Sequence, residues 1–227
     1  MIPEAEYPAA SASASASAHS PSAEPSAAAP VPLVTEAPVP ESAAAKSVGR
    51  IMAVAYELFS RRGVRDVGVN ELIERSGVAK ATFYRHFPSK DSLVLAFLEQ
   101  RDKQWTVDAI VSEARRRGNT PDEQLLAIFD VFGDWFLRED FEACSFINVL
   151  LEMGPAHPLG QASIDYLAKI RGHVQALAEE AGLQRPDEFA RSWHILMKGS
   201  IISATEGDMQ AAKRAQQMAG WLIEHHR

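Results

Sequence analysis

A single cysteine, Cys144, occurs in the 227 residues, which excludes an intrachain disulfide framework and a multi-cysteine zinc site. Long apolar runs are also missing. The longest, such as Phe146–Leu151, is interrupted within a few residues, far short of the roughly 20 needed to cross a bilayer. No stretch alternates apolar and β-branched residues with the period of a strand. Bases are scarce as well: 23 Lys and Arg against 30 Asp and Glu give a formal charge of −7. Taken as an average, that argues against nucleic acid. The cysteine and hydropathy patterns together predict a reducing, cytoplasmic setting with no membrane partner.

What is present is unevenly distributed. Eight of the thirteen prolines lie in residues 1–45, where Ala, Ser and Pro fill 31 positions and Ala10–Ala18 is a simple repeat. With few large apolar side chains to bury, this leader cannot offset its ordering entropy and is expected to be disordered. Its acidic start, MIPEAEYP, and lack of an apolar core do not fit a secretory signal. The leader carries five acids and no Lys or Arg, residues 46–100 carry nine bases and six acids, and residues 101–227 carry fourteen bases and nineteen acids. The one net-positive segment is therefore short and near the front, and the average conceals it. These shifts divide the chain into a leader (1–45), a first folded segment (46–100) and a second (101–227).

From Lys46 onward the apolar spacing is helical. Val48, Ile51, Ala55, Leu58 and Phe59 share one face of a first helix that Gly63 closes. A short second helix is expected over Val69–Ser76 and is broken by Gly77. A third begins near Ala79, buries Phe83 and Phe87, and stops at Pro88. Ser89 is a good N-cap for a long fourth helix through Leu93, Phe97 and Trp105 towards Arg117. Pro121 opens a fifth. A short helix (Phe146–Glu152), a longer one carrying Ile164 to Leu177, and two last ones after Pro186 complete an all-α fold of about nine helices.

The stretch VNELIERSGVAKATFYRHF, Val69–Phe87, places two short helices around a glycine turn, which is the helix-turn-helix pattern. Its second helix buries Phe83 and Phe87 and presents Lys80, Ala81, Thr82, Tyr84, Arg85 and His86, a small, polar and basic surface suited to a major groove about 12 Å wide. Tyr84 offers a phenolic donor to a phosphate, and Lys90 stands at a helix start, where free N–H groups favour an anion. A generic helical hairpin with a solvated basic face is the blander reading. The longer segment from Gly49 to Phe97, with Ala55, Leu58, Phe59, Gly63, Ile73, Gly77, Val78, Tyr84, Phe87, Lys90 and Leu93 in register, resembles the DNA-binding domain of the tetracycline-repressor-like (TetR) transcription regulators. The resemblance implies a homodimer whose two recognition helices read a pseudo-palindromic operator in double-stranded DNA. It also implies C-terminal helices that bind a small-molecule effector and pair the subunits, and a repressor released from its operator by that effector. In such proteins the positions matching Tyr84 and Lys90 contact phosphate, and those matching Lys80, Ala81, Thr82 and Arg85 lie near bases. One departure stands out: Val67 and Gly68 occupy the place of the usual Thr or Ser before the second helix, so a hydroxyl for a phosphate is missing.

The second folded segment is less explicit. In FEACSFINVLLEMGPAHP the residues Cys144, Asn148 and Glu152 recur every four positions, with His157 beyond. Together with Trp105, Phe132 and Phe136 they are candidates for an effector site, and Trp135 and Phe146 are further aromatic candidates. A metal or thiol sensor, or a small helical enzyme using Cys144 with His157 or Glu152, is the competing reading. A free cysteine is more simply a small buried hydrophobe. Nothing marks an oxyanion site, a phosphate loop or a cofactor fingerprint, so neither an enzyme nor a cofactor nor a metal is expected. For the dimer, the last two helices offer the stripes Trp193, Met197, Ser200, Ile201, Ala204 and Ala211, Ala215, Met218, Leu222; these would equally serve to close a monomer's own core.

Overall fold

The computed structural model describes residues 42–227; the leader expected at 1–45 lies outside the described residues up to position 41. Helix α1 spans Ala43–Arg62 and so begins three residues earlier than the apolar spacing predicts. The cause is local. The Ser42 side chain accepts from the Ala45 N–H at 3.1 Å, and three alanines, the best helix formers, follow the cap. Ile51, Ala55, Leu58 and Phe59 face inward. Gly63, at φ 82°, then turns the chain away.

Helices α2 (Val69–Ser76) and α3 (Lys80–His86) follow. Gly77 between them is left-handed at φ 61°, a backbone state that side-chain-bearing residues rarely adopt. Phe83 on α3 is fully buried and packs edge-on to Tyr84 and tilted to Phe87. Burying an aromatic of this size is worth about 3–5 kcal/mol against alanine, enough to hold a seven-residue helix that would not form alone.

Helix α4 is one continuous rod of three parts: Lys90–Arg101, a π-helical stretch Asp102–Ser112, and Glu113–Arg117. Ser89 caps it with a reciprocal capping box to Ser92. Helix α5 (Pro121–Phe136) starts with a second box, Thr120 with Glu123, and a first-turn proline. Then come α6 (Ser145–Met153), α7 (Pro158–Glu180), α8 (Pro186–Thr205) and α9 (Ala211–His225). Among the described residues this makes nine helices and no strand, the expected all-α class. Helices α2 and α3 pack on α1, which packs on the start of α4; α5 packs on the end of α4 and on α9 and also meets α7 and α8, while α6, α7, α8 and α9 pair successively and α4 touches α6 and α7. One hydrophobic core runs through all of them.

Candidate functional site

Two surfaces and one cavity gather the residues with chemistry. The first surface is the outer face of α3. Lys80, Ala81 and Arg85 are exposed, and Tyr84 is 41% exposed although hydrophobic by size. Thr82 and His86 are half-buried. His86 differs from the expectation in orientation: its Nε2 is enclosed and without a partner, so that nitrogen is withdrawn from the outer face. The Phe83 anchor thus turns Ala81, Tyr84 and Arg85, one or two positions away, outward, while Lys80 and His86, three positions away, stand at the margins of that face.

Lys90 is half-buried, and its ammonium donates to the carbonyls of Val64 at 2.8 Å and Val67 at 3.0 Å. One of its three donors is left for an outside acceptor. Gly68 is the N-cap of α2 and makes no side-chain cap, so the departure noted in the sequence leaves that helix start bare. The same turn is held from its other side. Glu152, near the end of α6, accepts from the Val64 N–H at 2.7 Å and also from the Arg65 N–H. A Cβ at Gly63 would come within 3.0 Å of this carboxylate. The turn between α1 and α2 is therefore gripped by a carboxylate on its N–H groups and an ammonium on its C=O groups.

The cavity lies among α4, α5, α6, α7 and α8. Of the expected effector residues, Trp105, Phe132 and Cys144 line it, as do Trp135 and Phe146. The other three do not. Phe136 is buried beside Phe132 and Phe141, Asn148 is exposed, and Glu152 points to the α1–α2 turn. Four-residue spacing drifts around a helix, and Cys144 is the N-cap of α6, so the three positions do not share one face. Two titratable residues of the lining fall outside the expected set: His194 and Lys198, four apart on α8. That spacing beside Met197 and Ile201 was the available signal.

The cavity is about 30 Å³, the share of a single water, whereas small-molecule sites run to about 300–1,000 Å³. Trp105 and Trp135 close on each other with ring centroids 4.5 Å apart. His194 is 3% exposed, and its Nδ1 has no partner. Burial, then the nearby cations Lys198 and Arg171, push its ring down to about 3. The unfolded chain thus takes up a proton near pH 6.5 that the folded chain refuses. Stability is complete above that pH and declines as pH falls towards 3. A loss of about 2 kcal/mol between pH 7 and 5 is expected from this group. Denaturant melts of wild type and His194→Gln at the two pH values check it: the variant's slope should be flatter, and equal slopes would remove His194 as the cause.

Desolvation holds the Cys144 thiol above its ordinary pKa, the reverse of an activated nucleophile. His157 accepts the Leu159 N–H on Nδ1 as the N-cap of α7, and Glu152 is engaged at the turn. The competing Cys144–His157–Glu152 constellation is not assembled. Among the described residues no three His, Cys, Asp or Glu side chains converge as metal ligands, and no helix is long and apolar enough to cross a membrane.

The second surface corrects the expected stripe on α8 and α9. Trp193, Met197, Ser200, Ile201 and Ala204 are buried within the chain, as are Ala211 and Ala215; Trp193 packs on Phe129 and Phe189. Met218 of the expected stripe stays exposed, together with residues outside the stripe. Ile195 is 69% exposed, Ile202 45%, Met218 46% and Trp221 68%. A groove of about 280 Å³ runs between the two helices, floored by Gly199, Ala211 and Ala215.

Comparison with known proteins bears on the first of these surfaces most directly. Residues 51–97 match the family model described as bacterial regulatory proteins, tetR family. The HTH-type transcriptional activator FasR of Mycolicibacterium smegmatis is 35% identical over 102 residues, covering 44% of each chain; the similarity thus spans less than half the length of that relative. A TetR-family transcriptional regulator from Streptomyces coelicolor superposes with a TM-score of 0.73 at 25% identity, covering 80% of this chain and 96% of that one. A putative regulator of the same family from Streptomyces avermitilis gives 0.66 at 26% identity over 77% and 98%.

Proposed function

We propose that the chain, whose residues 51–97 match the tetR family model, is a tetR-family, sequence-specific DNA-binding transcriptional regulator, a cytoplasmic repressor that a small-molecule effector releases from its operator. The observation that carries this reading is the outer face of α3, where Lys80, Tyr84 and Arg85 are exposed around the buried anchor Phe83. Laid in a major groove, that helix sets Lys80, Ala81, Thr82 and Arg85 towards base edges and the Tyr84 hydroxyl and the remaining Lys90 donor towards phosphates, with His86 at the margin. Residues 46–100 would form the DNA-binding part and residues 101–227 the effector-binding and pairing part.

Two copies joined through the exposed faces of α8 and α9 make a four-helix interface. They present two α3 helices to half-sites about one helical turn, roughly 34 Å, apart or a multiple of it. Effector control follows from the collapsed cavity. A ligand of ordinary size cannot fit until the walls part, and the walls include the π-helical stretch of α4 and the start of α6. Helix α4 crosses from one part of the chain to the other, and α6 carries Glu152 to the α1–α2 turn. Opening the cavity therefore shifts the population towards a spacing of recognition helices that no longer matches the operator.

Gel retardation of palindrome-containing upstream fragments tests the proposal, with affinity falling steeply as salt rises because phosphate neutralisation releases counterions. Failure to retard any fragment over competitor DNA would sink it. Within α3, Tyr84→Phe removes one phosphate contact and should weaken operator and scrambled DNA alike, by about fivefold for about 1 kcal/mol. Arg85→Ala and Thr82→Ala should instead relax the preference at single base positions, each by about 1–3 kcal/mol. If selection from random DNA returned the same site for all three variants at unchanged affinity, α3 would not be the reading helix.

A further inference from the structure

We infer that the effector is an apolar monocarboxylate, its body taking the place of the aromatic side chains that fill the cavity and its carboxylate held by Lys198 and His194. The inference rests on the regulator reading above and adds the chemistry of the ligand. The cavity is lined almost wholly by carbon, apart from the Cys144 thiol and two nitrogen bases on α8. His194 Nδ1 is enclosed and unpartnered, a state that native proteins rarely leave without a use. Lys198 is half-buried. The charged or titratable groups acting on it are Arg171, from α7, and the Cys144 thiol, from the start of α6; those acting on His194 are Lys198 and Arg171. None of these groups is an Asp or a Glu.

The corner therefore has donors without an acceptor. A carboxylate there accepts from the Lys198 ammonium and from the neutral His194 ring in its Nδ1–H tautomer, both as charge-assisted bonds in a poorly solvated place. A quaternary ammonium of the same size meets the cations Lys198 and Arg171, and an alcohol gains a hydrogen bond without the attraction between opposite charges. The body has to be mostly apolar because, apart from the two indole N–H groups and the Cys144 thiol, the rest of the lining is aliphatic and aromatic carbon. It also has to part Trp105 from Trp135, which makes their fluorescence a direct reporter.

The test uses full-length protein and three probes of equal chain length: decanoate, 1-decanol and decyltrimethylammonium. Binding is read by tryptophan fluorescence and thermal shift without DNA, then by release of a retarded operator complex. The expected result is decanoate binding at least tenfold tighter than 1-decanol, with no binding of the ammonium. In Lys198→Met that preference should vanish while 1-decanol affinity is kept. Equal affinity of wild type for acid and alcohol, preference for the ammonium, or no binding of any probe overturns the inference. A decanoate preference that survives in Lys198→Met overturns it too. Carboxylate binding by a protein that retards no DNA would instead leave the ligand assignment standing and remove the regulator reading.

Discussion

Replacing Trp221 and Ile202 together by glutamate is expected to leave a folded monomer whose affinity for a two-half-site operator is lower by about a hundredfold or more. The argument is one of area and linkage. Trp221 and Ile202 are exposed at 68% and 45%, flanked by Ile195 and Met218, and an aromatic such as Trp221 buries about 150–250 Å² when covered. Two carboxylates per subunit, four in all, would have to be desolvated or to repel if these faces pair. Folding should be little affected, since neither side chain is packed in the chain's own core. DNA affinity falls because each half-site is then bound separately, forfeiting an avidity gain of about 10²–10⁴. Sedimentation equilibrium and operator retardation, measured side by side, check the two halves. A variant that still sediments as a dimer would place the pairing surface elsewhere than α8 and α9.

Glu152→Gln is expected to loosen the turn between α1 and α2 and to uncouple the cavity from DNA. The two carboxylate oxygens accept from the backbone N–H groups of Val64 and Arg65. Glutamine keeps the shape but has one acceptor, so its NH₂ would face one of those donors. Losing a charge-assisted bond and leaving a backbone donor unmet costs about 1–3 kcal/mol, or roughly 2–12 °C in Tm for a domain of this size. The sharper reading is local: the amides of Val64 and Arg65 should exchange with solvent faster in the variant, while those of α5 stay protected. Operator affinity without effector should fall, and any effector should alter it by a smaller factor, since coupling of about 1–3 kcal/mol is all that such a link typically carries. Unchanged exchange at both amides together with an unchanged effector response would show that the grip of α6 on the turn is incidental.

Much of the helical framework was legible because its determinants are local. Ser89 and Thr120 cap helices through atoms three residues away, Gly77 breaks where a left-handed residue is required, and proline starts α5, α7 and α8. The outer face of α3 was legible for the same reason. Phe83 and Phe87 mark the inner side, so Tyr84 and Arg85 between them point away, whereas His86, three positions from Phe83, turns its Nε2 inward. The start of α1 was missed by three residues because apolar spacing is silent about an alanine run that the Ser42 cap makes helical.

The stripes on α8 and α9 show where local patterns stop. Both helices carry apolar residues on two sides, and periodicity says that a face exists but not what covers it. Trp193 turned inward against Phe129 and Phe189, which left Ile195, Ile202, Met218 and Trp221 outside. The cavity corner was hidden similarly, since His194 and Lys198 gain meaning only when α7 brings Arg171 near them.

By itself, then, the sequence determined the all-α class, the turn of the helix-turn-helix, the face that α3 shows to solvent, and a basic segment masked by an acidic average. All of these depend on residues within one or two helical turns of each other. Only the tertiary structure decided that Glu152 holds the N–H of a residue 88 positions away, that the cavity among α4 to α8 is closed to about 30 Å³, and which faces of α8 and α9 remain uncovered. These depend on how nine helices pack, and packing is settled by shape and burial summed over the whole core rather than by the spacing of residues along any one helix.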